Sequence, residues 1–500
     1  MNAKQIAGRK RLPADFLPVA VLLLVAALAL LWGLGRGSLA AWDEAIYAQV
    51  SKEVARGGDW LTLHWEYRPW FEKPPLFMWV TALFYRLFGV GEFWARAPSA
   101  LSGVALVWVT YLVGKRAYGG RVGVLAGAVL LTCYHFLSFS RFGTTDVMLT
   151  LFASLALYAY LRLSDGGGRW WYPAWSSCAL ALMVKGAGAL VAPAAIALAL
   201  ALDGRTGDAL RSKHFRRGAL LALLIVAPWH ALMYAWHGRA FVDEYFGYHV
   251  FARATRTLEG HPSGYLYFAG KLLDGFFPWC LLVPSAAVSE VRRWRRGESR
   301  AKVLLLFGAL VFGVYTLIPT RRPWYIVPLY PALAVLVARF AVGLYGKYQT
   351  RPAHGRALAA ACAVLFVVGA LYSFVSLRLS REPEAPVARL ARLARSTGPG
   401  DREPLLLLSE TETLYAQVPL FYSDRPARQT YAASPPPAVE DAERYVSYQN
   451  LSEVTRTSPR RVILRREAIA GLSADYDVRV LAEDGPLAYA TVARRPAFSR

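Results

Sequence analysis

The stretch FLPVAVLLLVAALALLWGL, residues 16–34, contains neither a charged nor an uncharged polar side chain. A helix of about 20 apolar residues is long enough to cross the hydrocarbon core of a membrane. Similar apolar runs predict further spans near residues 97–115, 121–139, 145–162, 171–185, 187–202, 217–236, 271–290, 302–318, 324–343 and 357–377. The sequence therefore predicts a mainly α-helical membrane protein with about 11 (11–13) transmembrane helices.

The distribution of charge separates a membrane role from a nucleic-acid role. The chain carries 57 Lys and Arg against 34 Asp and Glu, which gives a formal net charge of +23. The basic residues form short clusters between the apolar runs, at residues 4–11, 115–121, 205–217, 292–302 and 347–356. Each cluster follows an even number of predicted spans, so all of them can lie on the cytoplasmic side, as the positive-inside rule expects. This pattern predicts a cytoplasmic N-terminus and argues against a nucleic-acid partner.

Four segments are predicted on the outer side, at residues 35–96, 237–270, 319–324 and after about residue 379. The first contains an aromatic-rich apolar stretch at 73–88 that is too short to span, so we expect an interfacial helix there. The last segment has strand-like runs near 404–408, 461–464, 476–481 and 487–492, with polar helical stretches between them. The sequence thus predicts a transmembrane domain at 1–378, with its first periplasmic loop at 35–96, and a small soluble α/β domain at 379–500.

Acidic residues at the outer membrane boundary are candidates for catalysis. Asp43 and Glu44 follow the first span in AWDEAIY, residues 41–47, and Asp146 opens the fourth predicted span. Carboxylates beside a water-filled cavity in a membrane protein can serve as general bases or metal ligands. The residues alone equally allow helix N-caps at Asp43 and Asp146, because aspartate is a favoured cap.

Basic residues in the same outer segments are candidates for binding a phosphate. Lys73 stands beside Glu72 in FEKPPL, residues 71–76, where two prolines restrict the backbone. Lys185 and Gly186 lie between two apolar runs. The alternative for Lys73 is an interfacial lysine that extends to the headgroups, and for Lys185-Gly186 a simple turn.

Five further basic residues lie near the predicted outer face. His249 and Arg253 are four residues apart, so they share a face if this segment is helical, and His261 follows. Arg321 and Arg322 break the positive-inside rule in a short outer loop, and an anionic lipid phosphate would explain them. Loop residues that face headgroups are the alternative for all of these positions.

Little in the sequence supports a metal centre. A zinc site made by His249, His261 and Glu72 lacks the short ligand spacing that such sites usually show. The four cysteines each lie inside an apolar run, which argues against a disulfide framework. The sequence therefore allows a divalent metal but does not identify a cofactor.

In their order along the chain, these segments resemble the bacterial aminoarabinose-lipid A transferase and protein O-mannosyltransferase family, within the GT-C glycosyltransferases. The matching stretches are WDE at 42–44 with Tyr47, GDW at 58–60, FEKPPL at 71–76, ARAPSAL at 95–101, TD at 145–146, KG at 185–186, His249 with Arg253 and His261, and WY at 324–325 followed by VPLYPAL at 327–333. The resemblance covers about the first 345 residues and implies the GT-C fold.

The resemblance implies a polyprenyl-phosphate sugar donor and inverting transfer on the outer face. The predicted catalytic residues are Asp43, Glu44 and Asp146, with Asp43 as the main carboxylate. The predicted ligands of the donor phosphate are Lys73, Arg253, Arg321, Arg322 and Tyr325, and the residues predicted to line the cavity are Glu72, Tyr47, His249 and His261. One departure is Thr320-Arg321-Arg322-Pro323, where the family often has Ser-Lys, and arginine still binds phosphate well.

We therefore expect a hexosyl- or pentosyltransferase of the bacterial inner membrane that uses polyprenyl (undecaprenyl) phosphate as the carrier of its sugar, with the C-terminal domain in the periplasm. The acceptor could be lipid A, an envelope glycan or a protein, and transfer of 4-amino-4-deoxy-L-arabinose to lipid A is the narrower alternative. The residues also allow a lipid-linked sugar transporter or flippase, and a non-catalytic assembly protein. Transporters usually place charged residues near the bilayer midplane, whereas these candidates cluster at its outer boundary.

Overall fold

The computed structural model describes residues 15–165, 168–258, 264–299, 301–348, 350–379, 384–396, 403–408, 416–432 and 448–495. The chain is mainly helical. The α-helices are α1 (Phe16–Leu31), α2 (Asp43–Gly57), α3 (Leu76–Phe88), α4 (Glu92–Tyr118), α5 (Gly120–Leu131), α6 (Tyr134–Ser140), α7 (Asp146–Arg162), α8 (Trp171–Lys185), α9 (Val191–Leu202), α10 (Thr206–Arg211), α11 (Lys213–Phe241), α12 (Arg253–Thr255), α13 (Tyr267–Gly275), α14 (Val283–Arg295), α15 (Lys302–Leu317), α16 (Leu329–Tyr348), α17 (Pro352–Leu379), α18 (Pro386–Ser396), α19 (Gln417–Ser423), α20 (Leu451–Val454) and α21 (Ala468–Leu472).

Several helical stretches are long and apolar enough to cross a membrane. Within the described residues these are Glu92–Tyr118, Gly168–Leu202, Lys213–Thr255, Leu329–Tyr348 and Pro352–Leu379. Two bent pairs also qualify when each is taken as one span, namely Gly120–Leu131 with Tyr134–Ser140, bent by 71°, and Tyr267–Gly275 with Trp279–Arg295, bent by 116°. Shorter apolar helices are Phe16–Leu31, Leu76–Phe88 and Lys302–Leu317. The chain is thus a membrane protein, and the count of about 11 spans stays a prediction.

The helices follow the apolar runs closely, but two breaks matter for the site. Gly186, at φ +61°, ends α8 and separates it from α9, with a short 3-10 turn at Gly186–Leu190. After α11, the backbone continues in wider π-type turns over Val242–Ala252 before α12 begins. Such π-type segments are rare and often mark functional sites. α3 begins directly after Pro74 and Pro75, as the two prolines lead one to expect.

The C-terminal residues form a six-stranded sheet with the order β5-β4-β3-β6-β8-β7. The strands are β3 (Leu405–Leu408), β4 (Ala427–Tyr431), β5 (Tyr448–Asn450), β6 (Arg460–Arg465), β7 (Tyr476–Asp484) and β8 (Leu487–Arg494), while β1 (His64–Trp65) and β2 (Arg68–Pro69) form a separate hairpin. β5, β4, β3 and β6 are parallel, and β8 and β7 are antiparallel to their neighbours. The predicted small C-terminal α/β domain is confirmed, although the strands β4 and β5 were not predicted.

Both faces of this sheet are covered. Helices α18 and α19 share one buried cluster with Leu405 and Leu407, whereas α20 and α21 pack near Leu406 and Leu408 on the opposite face. This explains why the whole of β3 is apolar. The first cluster also contains Leu39, Ala45 and Ala48, from around and within α2. The sheet therefore packs directly against the part of the chain that follows α1.

Candidate active site

The candidate site is a cavity of about 630 Å³ among the helix ends. Seven parts of the chain form its wall: the start of α2, the segment before α3, the end of α6 with the segment after it, the start of α7, the turn after α8, the π-type segment with α12, and the end of α15 with the segment before α16. The charged side chains in the wall are Asp43, Glu44, Glu72, Lys73, Asp146, Lys185, Arg253 and Arg322. Residues that are far apart in the sequence, from Ala41 to Pro328, therefore line the same cavity.

Asp43 is the first residue of α2 and is half-buried at the cavity. Among the described residues, none donates a hydrogen bond to its carboxylate or forms an ion pair with it. Burial, together with the negative charge of Glu72, raises the pKa of Asp43. The residue before it, Trp42, has φ +67°, an unusual value for a bulky side chain, and backbone strain of this kind clusters at functional sites.

The neighbouring carboxylate, Glu44, is in the opposite situation. It is 1% exposed and accepts hydrogen bonds from Arg96 Nε at 2.8 Å and Arg96 Nη2 at 3.1 Å. The backbone N–H groups of Ala40 and Gly143 donate to it at 2.8 and 2.9 Å. A carboxylate with four donors has little capacity left for an acceptor substrate, so Glu44 is held as a structural anchor at the edge of the cavity.

Glu72 and Lys73 form an ion pair inside the wall. Lys73 Nζ donates to Glu72 Oε1 at 2.6 Å, and both side chains are mostly buried. Burial by itself would raise the pKa of Glu72, but the charges of Lys73, His249 and Arg253 outweigh it and lower the pKa to about 2. Glu72 therefore stays ionised at neutral pH and holds the Lys73 ammonium at the cavity.

A second buried pair lies across the cavity. Lys185 Nζ contacts the Asp146 carboxylate, and it also lies 5.5 Å from the centre of the Tyr325 ring. Asp146 is the first residue of α7, and Lys185 is the last residue of α8, so the pair joins two helix ends. The sequence presented Lys185 only as a residue of a recognised motif or a turn, and the structure shows that it is the partner of Asp146.

Arg253, Tyr325 and Arg322 bring further positive charge to the same space. Arg253 Nη1 donates to the Tyr325 hydroxyl at 3.4 Å, and the Arg322 guanidinium lies 5.8 Å from the centre of the Trp324 ring. His249 also lines the cavity, one turn before Arg253. The predicted phosphate ligands, apart from Arg321, thus line the same cavity.

Three predicted residues are placed differently or lie outside the description. Arg321 does not contribute to the cavity wall, because its guanidinium donates to the Thr316 carbonyl oxygen at 2.8 Å and stacks on Tyr265. Tyr47 is 1% exposed and packs edge-on against Trp70 and Phe77, with ring centroids 6.0 and 6.3 Å away. His261 lies outside the described residues.

Two tyrosines of the wall, and an arginine that contacts the wall residue Glu44, were not predicted. Tyr245 and Tyr315 belong to the lining, and Tyr245 Oη would lie 2.8 Å from a Cβ atom at Gly186. Arg96 is 7% exposed and donates to carbonyl oxygens of Leu34, Arg36 and Ser38 as well as to Glu44. A buried arginine in the recognised stretch 95–101 was the available signal for Arg96, whereas the tyrosines had none.

The described side chains do not fit a metal centre. No three His, Cys, Asp or Glu side chains within the described ranges lie close enough together to hold a metal ion. Glu72 and Asp146 each have a lysine as partner, which competes for the same carboxylate oxygens.

The charge of the cavity suits an anion. Once Glu44 is paired with Arg96, the wall holds four cations, Lys73, Lys185, Arg253 and Arg322, against three carboxylates. A phosphate that enters this partly enclosed space meets amino and guanidinium donors and adjoins an aspartate that has no hydrogen-bond or ion-pair partner among the described residues. The remaining wall is largely aliphatic and aromatic, which suits a lipid chain.

The comparisons with known proteins agree with this picture. The family described as dolichyl-phosphate-mannose-protein mannosyltransferase matches residues 72–232. An undecaprenyl phosphate-alpha-4-amino-4-deoxy-L-arabinose arabinosyl transferase of Enterobacter sp. (strain 638) is 26% identical over 349 residues, which are 65% of this chain and 60% of that protein. An uncharacterized protein of Aquifex aeolicus is 27% identical over 61% of this chain and 60% of its own length. The chain thus spans 60% of the length of these two relatives.

Solved structures extend the likeness to almost the whole chain. ArnT from Cupriavidus metallidurans bound to undecaprenyl phosphate has a TM-score of 0.72 at 21% identity, with 95% of this chain and 97% of that chain covered. The Archaeoglobus fulgidus oligosaccharyltransferase in the apo form has a TM-score of 0.55 at 12% identity, with 82% of this chain and 64% of that chain covered. At these identities the likeness shows the fold, which is the GT-C fold. The chain thus has the GT-C fold, and in its motifs and its relatives it is similar to the aminoarabinose-lipid A transferases and the protein O-mannosyltransferases.

Proposed function

We propose that this protein is an inverting glycosyltransferase that moves a sugar from a polyprenyl phosphate donor to an acceptor hydroxyl. The observation that carries the proposal is Asp43, a carboxylate with no hydrogen-bond or ion-pair partner among the described residues, in the wall of a cavity that four cations also line. The names of the curated relatives, which use undecaprenyl phosphate aminoarabinose, support the donor class. The domain division proposed is 1–378 for transfer and 379–500 for the C-terminal sheet.

In this proposal Asp43 is the general base. The acceptor hydroxyl donates to the Asp43 carboxylate, which takes the proton as the acceptor oxygen forms a bond to the anomeric carbon of the sugar. The bond between that carbon and the phosphate oxygen breaks on the opposite side, so the anomeric configuration inverts. Polyprenyl phosphate leaves with the bonding electron pair, and the proton stays on Asp43 until solvent removes it.

The cations stabilise the leaving phosphate. Charge grows on the phosphate oxygen as the glycosidic bond breaks, and fixed donors aimed at that oxygen lower the barrier. Lys73 and Arg253 are the proposed primary ligands, with Arg322 and Tyr325 beside them. Glu72 and Asp146 serve by holding Lys73 and Lys185 in place, and Glu44 serves through Arg96 by fixing the start of α2. Arg321 has a structural role in this proposal, because it stabilises the loop that contains it.

The proposed setting is a bacterial inner membrane, with the N-terminus in the cytoplasm and the cavity and C-terminal sheet in the periplasm. The apolar helices and the bacterial relatives support the membrane. Lipid A is the acceptor in the narrower alternative of aminoarabinose transfer, and an envelope glycan or a protein stays open beside it.

The test is sugar transfer from purified polyprenyl-phosphate donors to membrane extracts. We expect Asp43→Asn to lower turnover by about 10²–10⁴-fold, the usual contribution of a general base, while polyprenyl phosphate still binds. Lys73→Met should weaken donor binding as well as turnover. Asp208→Asn, an exposed aspartate on α10, is the matched control and should transfer at the normal rate.

Normal transfer by both Asp43→Asn and Lys73→Met would overturn the proposal. If the intact protein binds polyprenyl-phosphate sugars and moves them across vesicles without any transfer, the flippase alternative replaces it.

A further inference from the structure

A second cavity, of about 470 Å³, lies between the C-terminal sheet domain and the helices α2 and α4. Its charged wall consists of Lys52, Arg56, Glu92, Arg392, Arg395 and Asp424. It shares no wall residue with the cavity around Asp43. It is therefore a separate cavity from the one proposed for sugar transfer.

Positive charge exceeds negative charge in this cavity. Three cations converge on the single carboxylate of Asp424, with Lys52 Nζ at 2.7 Å, Arg56 Nη1 at 2.8 Å and Arg395 Nε at 2.9 Å. Arg392 contacts Glu92 and Glu384. One carboxylate cannot neutralise three cations, so an excess of positive charge stays at Asp424.

The crowding of cations also affects Lys52. Burial, with a smaller contribution from Arg56 and Arg395, lowers the pKa of Lys52 to about 8 against the attraction of Asp424. Arg56 and Arg395 are half-exposed, with side-chain exposures of 49% and 58%. Each guanidinium therefore has donors left for an anion that enters from the open side.

The position of the cavity indicates which anion. Val90, Gly91 and Glu92 line it, and Glu92 begins α4, one of the helices that can cross a membrane. The cavity therefore lies at the end of a span. Next to it, the end of α3 exposes a row of large apolar side chains, namely Leu83, Leu87 and Phe88 at 50–64% and Val90 at 38%. Exposed apolar surface on an amphipathic helix is typical of contact with lipid.

The basic side of the cavity also indicates contact with a membrane. α18 buries Leu390, Ala391 and Ala394 against the sheet and carries Arg392 and Arg395 on its exposed side. A basic amphipathic helix beside a membrane is typical of a surface that binds anionic lipids.

We propose that this cavity binds the phosphate headgroup of an anionic membrane lipid whose acyl chains lie along the exposed end of α3. The arginines supply the donors, and the apolar row on α3 supplies the contact that a free phosphate ion would not use. The lipid thereby bridges the sheet domain and the helical domain at the membrane surface.

The full chain in detergent is titrated with a fluorescent short-chain phosphatidylglycerol. We expect Arg56→Gln with Arg395→Gln to raise the Kd by about tenfold or more, since each basic residue near a surface contributes to anionic lipid binding. Added salt should weaken binding to the unchanged protein. Arg456→Gln is the control, because Arg456 is exposed and follows α20 on the opposite face of the sheet. Melting temperatures establish that the variants are folded.

Three outcomes would overturn the proposal. One is an unchanged Kd in the double variant, and another is equal binding of phosphatidylcholine. The third is competition by inorganic phosphate as strong as that by the lipid, which would indicate a site for a free anion. Lys73→Met provides a further arm, because a probe that binds only in the large cavity would respond to that variant and not to the arginine pair.

Discussion

At the scale of single residues, the site depends on which carboxylate is left without a partner. Glu44, Glu72 and Asp146 each have a cation of their own, whereas Asp43 has none among the described residues. The three paired carboxylates keep their charge and hold cations in position. Asp43 is the remaining carboxylate of the wall, and in the proposed function it takes the proton of the acceptor hydroxyl.

The raised pKa of Asp43 predicts a pH dependence of transfer. A base works only when deprotonated, and a raised pKa keeps the proton on Asp43 to a higher pH, so activity falls on the acid side at a pH above the ordinary aspartate value of about 3.9. Glu72, with its pKa near 2, stays charged throughout. The measurement is kcat/KM between about pH 4 and 8.

A control for this profile is Glu72→Gln. Removing that negative charge should move the acid limb of the profile to lower pH, because Glu72 is one cause of the raised pKa of Asp43. A profile that is flat down to about pH 4 would contradict the assignment of Asp43 as the base.

The sequence predicted many of these residues but not their pairings. Asp43, Lys73 and Arg253 came from a recognisable order of motifs, and all three line the cavity. The pair of Lys185 with Asp146, 39 positions apart, leaves no local pattern in the sequence. The same holds for Arg96 and Glu44, which are 52 positions apart. Only packing brings such partners together.

At the scale of elements, the turn between α8 and α9 sets the position of Lys185. Gly186 has φ +61° and ψ −135°, a backbone conformation that is essentially restricted to glycine. It also lets the Tyr245 hydroxyl approach closely. The conformation and the close approach explain why a glycine follows this lysine.

Gly186→Ala should therefore impair transfer. The backbone strain costs about 1–3 kcal/mol, and the new methyl group would lie 2.8 Å from Tyr245 Oη, so the wall must shift. We expect turnover to fall by about tenfold or more, because displacement of cavity groups by an ångström is costly. Gly207→Ala, which lies in α10 with open space around it, should have normal turnover. Equal rates for both variants would refute the role given to this turn.

Element by element, apolar runs located the spanning helices but not their shapes. The run at 121–139 is largely apolar, yet the chain bends by 71° between α5 and α6. An apolar sequence indicates only that a segment is surrounded by lipid or by protein. It therefore cannot distinguish a straight helix from a bent one. In the sheet, β5 has three residues and β4 contains Arg428 and Gln429, so neither shows a strong strand pattern.

At the scale of the whole molecule, the C-terminal domain contacts the segment just before α2, the helix that begins at Asp43. The Leu39 N–H donates to the Tyr422 hydroxyl at 2.8 Å, and that hydroxyl donates to Glu92 at 3.0 Å. Lys52, farther along α2, donates to the Phe421 carbonyl oxygen at 2.5 Å. The resemblance ended near residue 345, so this contact was not predictable from it.

Tyr422→Phe tests whether this contact matters for transfer. Loss of the hydroxyl leaves the buried Leu39 N–H without its acceptor, at a cost of about 1–3 kcal/mol. Because Leu39 lies four residues before Asp43, we expect a lower melting temperature and a lower kcat with unchanged binding of polyprenyl phosphate. Tyr431→Phe, on strand β4 of the same domain, should leave kcat unchanged. A normal kcat in Tyr422→Phe would show that transfer does not depend on this contact with the C-terminal domain.

The contact between Leu39 and Tyr422 joins residues 383 positions apart. A ribosome makes the segment that carries Asp43 early and the segment that anchors it late. The helices can enter the membrane during synthesis, but the Leu39 N–H, just before α2, gains its acceptor only after the sheet domain has been translated and folded. Under the proposed function, competence for transfer is then a late event in the biogenesis of each molecule, and a chain that stalls before α19 would remain in the membrane without it.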